Sequence, residues 1–266
     1  MDDIEVRVDG AACFIQIARP EVRNALRGQT MLELTAALSD FDADPTLRAA
    51  VITGAGGVAF SSGADLRELS ARKTGGTATA PRARPAVASP ELFSGFRAFE
   101  TVGKPVIAAV DGYCLAAGFE LALLCDIRLS TTTSVFGLPE PRRSLLAGPG
   151  LVQLSRLMPM GEALRLQLTG TTMTAERAHQ VGLVSELHPD QASLMVGARR
   201  IVAEIEACAP LAVEYIKRIV RDGHDQPVVE QWRMAELYST IIAGTEDAVE
   251  GPKAFLERRA PTWSGR

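Results

Sequence analysis

The longest apolar run of the chain, Tyr113 to Cys125, carries a glutamate, Glu120, in its interior. The run is too short to span a bilayer, so the chain has to bury it inside a protein core. A second glutamate, Glu140, follows twenty positions later between Pro139 and Pro141, which stiffen the backbone around it. The small residues Ala116-Ala117-Gly118 form a turn that opens a predicted helix, Phe119 to about Leu124. A turn of this kind points peptide N–H groups outward, where they can meet an oxygen that gains charge. Two carboxylates beside such donors suggest acid/base chemistry on a carbonyl compound. At a helix start the macrodipole favours ionised Glu120, which suits a base. Pattern alone gives a solvated helix-start glutamate equal weight.

The flanking segments read as strands and helices in alternation. Residues 4–9 alternate apolar and polar as a half-buried strand does; Asp9-Gly10 signals a hairpin, and Ala12–Ile17 is the partner strand. Met31, Leu34, Leu38 and Phe41 fall at helical spacing, and Ala49–Thr53 is a short buried strand. Gly54-Ala55-Gly56-Gly57 reads as a turn and not a nucleotide loop, because Phe60-Ser61-Ser62-Gly63 follows it where a helix is required. That second segment closes a loop before a helical pattern at Asp65, Leu66 and Leu69. Amides near Ala64 are then free at a helix start, although an ordinary capped turn is the plainer alternative.

Residues 71–90 combine small residues, four basic side chains and three prolines, so they read as a disordered surface loop. A helix is predicted over Ser94–Val102, and Val106–Val110 is a strand buried on both faces. Residues 126–129 form another strand; 151–158 and 162–168 are helical; 174–178 start a helix; and Val181–Val184 form a turn and strand. Arg142-Arg143 reads as a solvated pair. After His188-Pro189 the pattern is helical only, over 191–208, 210–222, 227–243 and 246–259. These helices carry more apolar face than so small a region can bury, which predicts self-association.

Composition removes several function classes. With a net charge of −4 over 266 residues, nucleic-acid and membrane-surface roles are disfavoured. The four cysteines lie far apart and read as reduced, buried side chains, and the three histidines share no metal-ligand spacing. The acidic start, MDDIEVRVDG, is unlike a leader peptide, so the chain reads as cytoplasmic.

Five segments in order resemble the enoyl-CoA hydratase/isomerase, or crotonase, family. They are Arg19-Pro20…Asn24-Ala25-Leu26, Phe60–Leu66, Asp111–Asp126, Phe136–Gly150 and Lys253–Pro261. The resemblance implies an α/β fold, a crotonase-like spiral of β-β-α units over 1–190, carrying the acyl-CoA site. It also implies a C-terminal helical trimerisation region over 191–266, building a homotrimer or a hexamer. The peptide N–H groups of Ala64 and Ala117 would form the oxyanion hole for a thioester oxygen. Glu120 would activate water for attack at C3, and Glu140 would orient that water and deliver a proton to C2. CoA would lie along Val22, Arg23 and Ala25, next to Gly63, Ala64, Asp65 and Leu66, and the acyl chain would pass Tyr113, Leu115, Ala116 and Pro139. No cofactor is implied, since CoA is part of the substrate.

This sequence departs from the family pattern at Ala116-Ala117, where many relatives have two glycines. Leu151 follows Gly150 where a glycine is frequent, and Pro141 adjoins Glu140. Having both glutamates favours hydration of 2-enoyl-CoA thioesters. The alternatives are another reaction of the family, such as hydroxyacyl-CoA dehydration or enoyl-CoA isomerisation, and non-catalytic acyl-CoA binding. A related Clp-like peptidase lacks a placed serine and histidine.

Overall fold

The computed structural model describes residues 2–68 and 90–266. The expectations for the loop at 71–89 and for Leu69 lie outside the described residues.

The chain begins with an antiparallel hairpin, β1 (Ile4–Asp9) and β2 (Ala12–Ile17), in which Ile4 pairs with Ile17 and Asp9 with Ala12. Helix α1 (Gly28–Ala43) follows, then β3 (Ala49–Gly54) and β4 (Ala59–Ser61). Next come α2 (Pro90–Thr101), β5 (Val106–Val110), β6 (Tyr113–Leu115) and α3 (Ala117–Leu124). The unit repeats as β7 (Ile127–Thr131), β8 (Val135–Gly137), α4 (Gly150–Leu157) and α5 (Met160–Thr169). It closes with β9 (Thr172–Thr174), α6 (Ala175–Gln180) and β10 (Glu186–His188).

The strands sort into two sheets, and from β3 to β8 successive strands switch between them. The larger sheet runs β1-β2-β3-β5-β7-β10 and is parallel after the first hairpin; the smaller runs β4-β6-β8-β9. Each of the pairs β3/β4, β5/β6 and β7/β8 thus places one strand in each sheet before a helix returns the chain. That is a spiral of β-β-α turns.

The switch between sheets is tight. Gly112 sits between β5 and β6 at φ 73°, and a methyl group there would lie 2.1 Å from the Val58 carbonyl oxygen. Only glycine meets both demands.

The core follows strand alternation. Cys13, Ile15 and Ile17 of β2 face the main core with Met31, Leu34, Leu38 and Phe41 of α1. Ala12 and Phe14 point the other way, into a second cluster with Leu194, Ala198, Ile201 and Val202 of α7 (Gln191–Glu206). β1 departs from its expected half-burial. Val6 and Val8 are more than half exposed, because β1 is an edge strand and no described residue covers that face.

Three more helices end the chain: α8 (Pro210–Gly223), α9 (Val228–Ala243) and α10 (Glu246–Glu257). α9 buries no residue, although it carries Val228, Val229, Trp232, Leu237 and Ile241. Among the described residues no helix is long and apolar enough to cross a membrane.

Candidate active site

The first wall is a loop fixed by one asparagine. After a 3-10 turn at Pro20–Val22, Arg23 and Asn24 both adopt left-handed backbone, with φ 53° and 55°. Asn24 is fully buried and tolerates this conformation because its side chain bonds locally. Its Oδ1 accepts from the Arg19 amide at 3.0 Å, and its Nδ2 donates to the Ala55 and Ala59 carbonyls at 2.9 and 2.7 Å. Arg19 adds bonds to the Ala25 carbonyl at 2.5 Å and to Asp65 Oδ2 at 3.1 Å. The loop is therefore tied to the segment around Ala64.

That tie orients the Ala64 peptide. Leu26 forms a parallel bridge with Ala64, in which the Leu26 amide donates to the Gly63 carbonyl and the Asp65 amide donates to the Leu26 carbonyl, both at 2.8 Å. In such a bridge the bonds pass through the neighbours of Ala64, so its own N–H faces away from Leu26.

The turn at 116–118 packs directly against this segment. A methyl group on Gly63, at φ 102°, would lie 2.6 Å from Ala116 Cβ and 3.3 Å from the Ala117 nitrogen. A methyl group on Gly118 would lie 2.5 Å from Ser61 Cβ. Ala116 has φ 51° and ψ −131°, a conformation that L-residues disfavour. α3 starts at Ala117, two residues earlier than the pattern predicted, so the Ala117 N–H has no acceptor within the helix.

Both glutamates are buried. Glu120 is 3% exposed, and the Gly150 amide donates to its Oε1 at 2.8 Å. Burial pushes its carboxyl up to about 7; the Glu140 charge adds to the rise, and the Gly150 and Gly148 amides oppose it. The helix start was expected to favour the ionised form, but desolvation outweighs it. Glu140 is 9% exposed and begins the 3-10 turn Glu140–Arg143, where Pro141 loses no intrahelical bond. Burial also raises Glu140, offset in part by its own amide and by the Arg143 charge. Its Oε2 is buried and has no hydrogen-bond partner among the described residues. The solvated reading of Glu120 is thereby excluded.

One cavity of about 780 Å³ collects these pieces. Val22, Arg23 and Ala25 line it from the pinned loop, and Ala64, Asp65 and Leu66 from the bridged segment. Leu115, Ala116, Ala117 and Glu120 come from the β6–α3 turn, and Pro139 and Glu140 from the 3-10 turn. Gly63 acts through its close approach to residues 116–117. Tyr113 is 44% exposed and is not part of this wall, contrary to its expected place along the acyl path.

Sequence reasoning missed several participants. Phe93 and Phe96 reach the wall from α2, and Gly148 contributes to it. Asn24 and Gly150 hold the loop and Glu120 through contacts between distant segments, which spacing does not reveal. A second cavity, about 830 Å³, lies beneath α8, where Asp126 is paired with Lys217 and Arg221 at 3.0 and 2.7 Å. The paired buried glutamates make the first cavity the candidate active site.

Two sheets exchanging strands around such a cavity define the crotonase fold, and solved structures agree. An enoyl-CoA hydratase from Bacillus anthracis superposes with TM-score 0.90 at 30% identity, covering 99% of this chain and 100% of that one. One from Mycobacterium tuberculosis H37Rv gives 0.87 at 34% identity, with both chains covered in full. The sequence matches the enoyl-CoA hydratase/isomerase family over residues 7–266. It is also 34% identical to carnitinyl-CoA dehydratase of Escherichia coli K12 over 271 aligned positions, covering 100% of this chain and 99% of that protein. The chain belongs to the enoyl-CoA hydratase/isomerase family and is an enzyme of the crotonase superfamily.

Proposed function

We propose that the protein is an enoyl-CoA hydratase-like lyase that adds water reversibly across the 2,3 double bond of 2-enoyl-CoA thioesters. The observation that carries this reading is the meeting of two buried carboxyls, Glu120 and Glu140, in one cavity with the Ala64 and Ala117 peptides.

The thioester oxygen accepts from the N–H groups of Ala64 and Ala117. As the oxygen gains enolate character, donors fixed in advance stabilise it by several kcal/mol without reorganising, on the order of 3 kcal/mol per donor. Glu120, as the carboxylate, takes a proton from water while the hydroxyl bonds to C3. Glu140, as the carboxylic acid, orients the same water and gives its proton to C2. The roles need one base and one acid together. Burial raises the proton affinity of both carboxyls, and the Glu140 charge raises that of Glu120 further, so one carboxyl holds a proton beside another that can release its own. The reaction moves a proton and a hydroxyl and calls for no redox group or metal.

CoA runs along Val22, Arg23 and Ala25, with the adenine and pantetheine beside Asp65 and Leu66. The apolar helical faces of residues 191–266 serve as the trimerisation region of a homotrimer or dimer of trimers, acting in the cytoplasm. The similarity to carnitinyl-CoA dehydratase favours a second reading, in which the same site works chiefly in the direction of dehydration of a hydroxyacyl-CoA.

The test is hydration of crotonyl-CoA, followed by loss of enoyl-thioester absorbance. Glu120→Gln and Glu140→Gln are each expected to lower kcat by about 100-fold or more while thioester binding persists. An active wild type with either variant within a few fold of it sinks these role assignments. Binding without turnover over several chain lengths favours the non-catalytic alternative.

A further inference from the structure

The structure separates Arg142 from Arg143. Arg142 Nε donates to the Thr169 carbonyl at 2.9 Å, and its side chain packs over Gly170, where a methyl group would meet Arg142 Cγ at 2.9 Å. Arg143 instead lines the cavity and has no ion pair or hydrogen bond among the described residues. The cavity's other arginines, Arg23 and Arg67, belong to the segments that carry Val22 and Ala64. Arg143 shares its 3-10 turn with Glu140, and its charge is felt there. The wall beside it is apolar: Leu92, Phe93, Phe96, Leu145 and Leu146.

We propose that Arg143 selects acyl chains ending in a carboxylate a few carbons beyond the reacting centre. This rests on the hydration reading above. A chain that runs from C3 past Glu140 meets hydrocarbon on one side and the Arg143 guanidinium on the other. A guanidinium offers a carboxylate two parallel N–H donors, and such charge-assisted pairs are about twice as strong as neutral ones. A methyl-ended chain gains only the leucine and phenylalanine contacts, and a quaternary-ammonium end meets a like charge.

The experiment compares 2-enoyl-CoA thioesters of equal length that end in carboxylate, methyl or trimethylammonium. The readout is the ratio of kcat/KM values, which cancels any effect of Arg143 on Glu140 itself. The ratio of carboxylate-ended to methyl-ended substrate is expected to fall about tenfold or more in Arg143→Gln. Arg143→Lys should retain more of it, and Arg143→Glu should turn the preference toward the ammonium end. A ratio within about twofold of wild type in Arg143→Gln overturns the inference, as does an equal loss on both substrates.

The same variants, and Arg143→Met, are also titrated by calorimetry with saturated thioesters ending in carboxylate or methyl. If no enoyl thioester turns over but the carboxylate preference in binding is lost with Arg143, the hydration reading fails and the selection stands. If wild type binds both saturated thioesters equally, the selection fails whatever the turnover.

Discussion

At the scale of single residues, the competition that matters is between helix position and burial at Glu120. A carboxylate in the first turn of a helix is favoured by a few tenths to about 1 kcal/mol when exposed. Glu120 is buried against Gly148 and Gly150, and desolvation carries it to about 7. If it is the base, kcat/KM should rise between about pH 6 and about pH 8 along a limb set by the ionising pair. A flat profile across that range counts against Glu120 as base. The same shift has a stability consequence with a definite sign. The folded chain holds this proton up to about 7, whereas the unfolded chain releases it near 4.5. Stability from Glu120 is therefore full below 4.5 and lost as pH rises to about 7. Glu120→Gln cannot ionise and still accepts from Gly150. It should be more stable than wild type at pH 8 by at most on the order of 3 kcal/mol, with the gap closing near pH 4.5. Thermal melts at the two pH values check this, and a variant that melts lower at both is the contrary result.

At the scale of elements, the turn into α3 stores strain that the sequence conceals. Ala116 takes φ 51°, and its Cβ faces Gly63, which itself sits at φ 102°. A non-glycine residue held there costs about 1–3 kcal/mol. Ala116→Gly is accordingly expected to raise or preserve the melting temperature, while Gly63→Ala lowers it sharply. Adding Ala116→Gly to Gly63→Ala should recover only part of the loss, because removing one methyl relieves the clash but leaves the φ of residue 63. Full recovery would place the cost in the clash alone. This turn also marks where reading the sequence runs out. Helices with long apolar periods, such as the one carrying Met31, Leu34, Leu38 and Phe41, were legible, and so was the buried strand Val106–Val110. The three-residue strands β4, β6, β8 and β9 were not, since alternation needs a longer window to register. Without them the second sheet is invisible, and so is the closeness of Gly63 to Ala116. Glu120 and Glu140 were readable as an apolar-embedded pair. Asn24, Gly150 and Arg143 were not, because their roles arise from contacts between segments far apart in the chain.

At the scale of the whole molecule, the exposed apolar faces require an explanation that the single chain does not supply. Trp232 is 68% exposed and Leu237 60% on α9, and Ile216 and Val220 on α8 are each above 60%. Exposed side chains of this size, repeated at helical spacing on adjacent helices, form a patch that monomeric proteins rarely leave in water. Tyr215 and Tyr238 stack at 4.5 Å between the two helices, so the pair is joined and presents its remaining faces together. Burying about 800 Å² of such surface per partner is sufficient for a standard interface. Light scattering is expected to give a mass of about three or six times the 28.4 kDa chain. Trp232→Glu combined with Val228→Glu places two charges on one face of α9, one turn apart, without disturbing any buried residue of that helix. If that face is the contact, the variant's mass falls toward 28.4 kDa while its secondary structure is retained. An unchanged mass moves the contact elsewhere, with Val6 and Val8 on the uncovered edge strand β1 as the next face to charge.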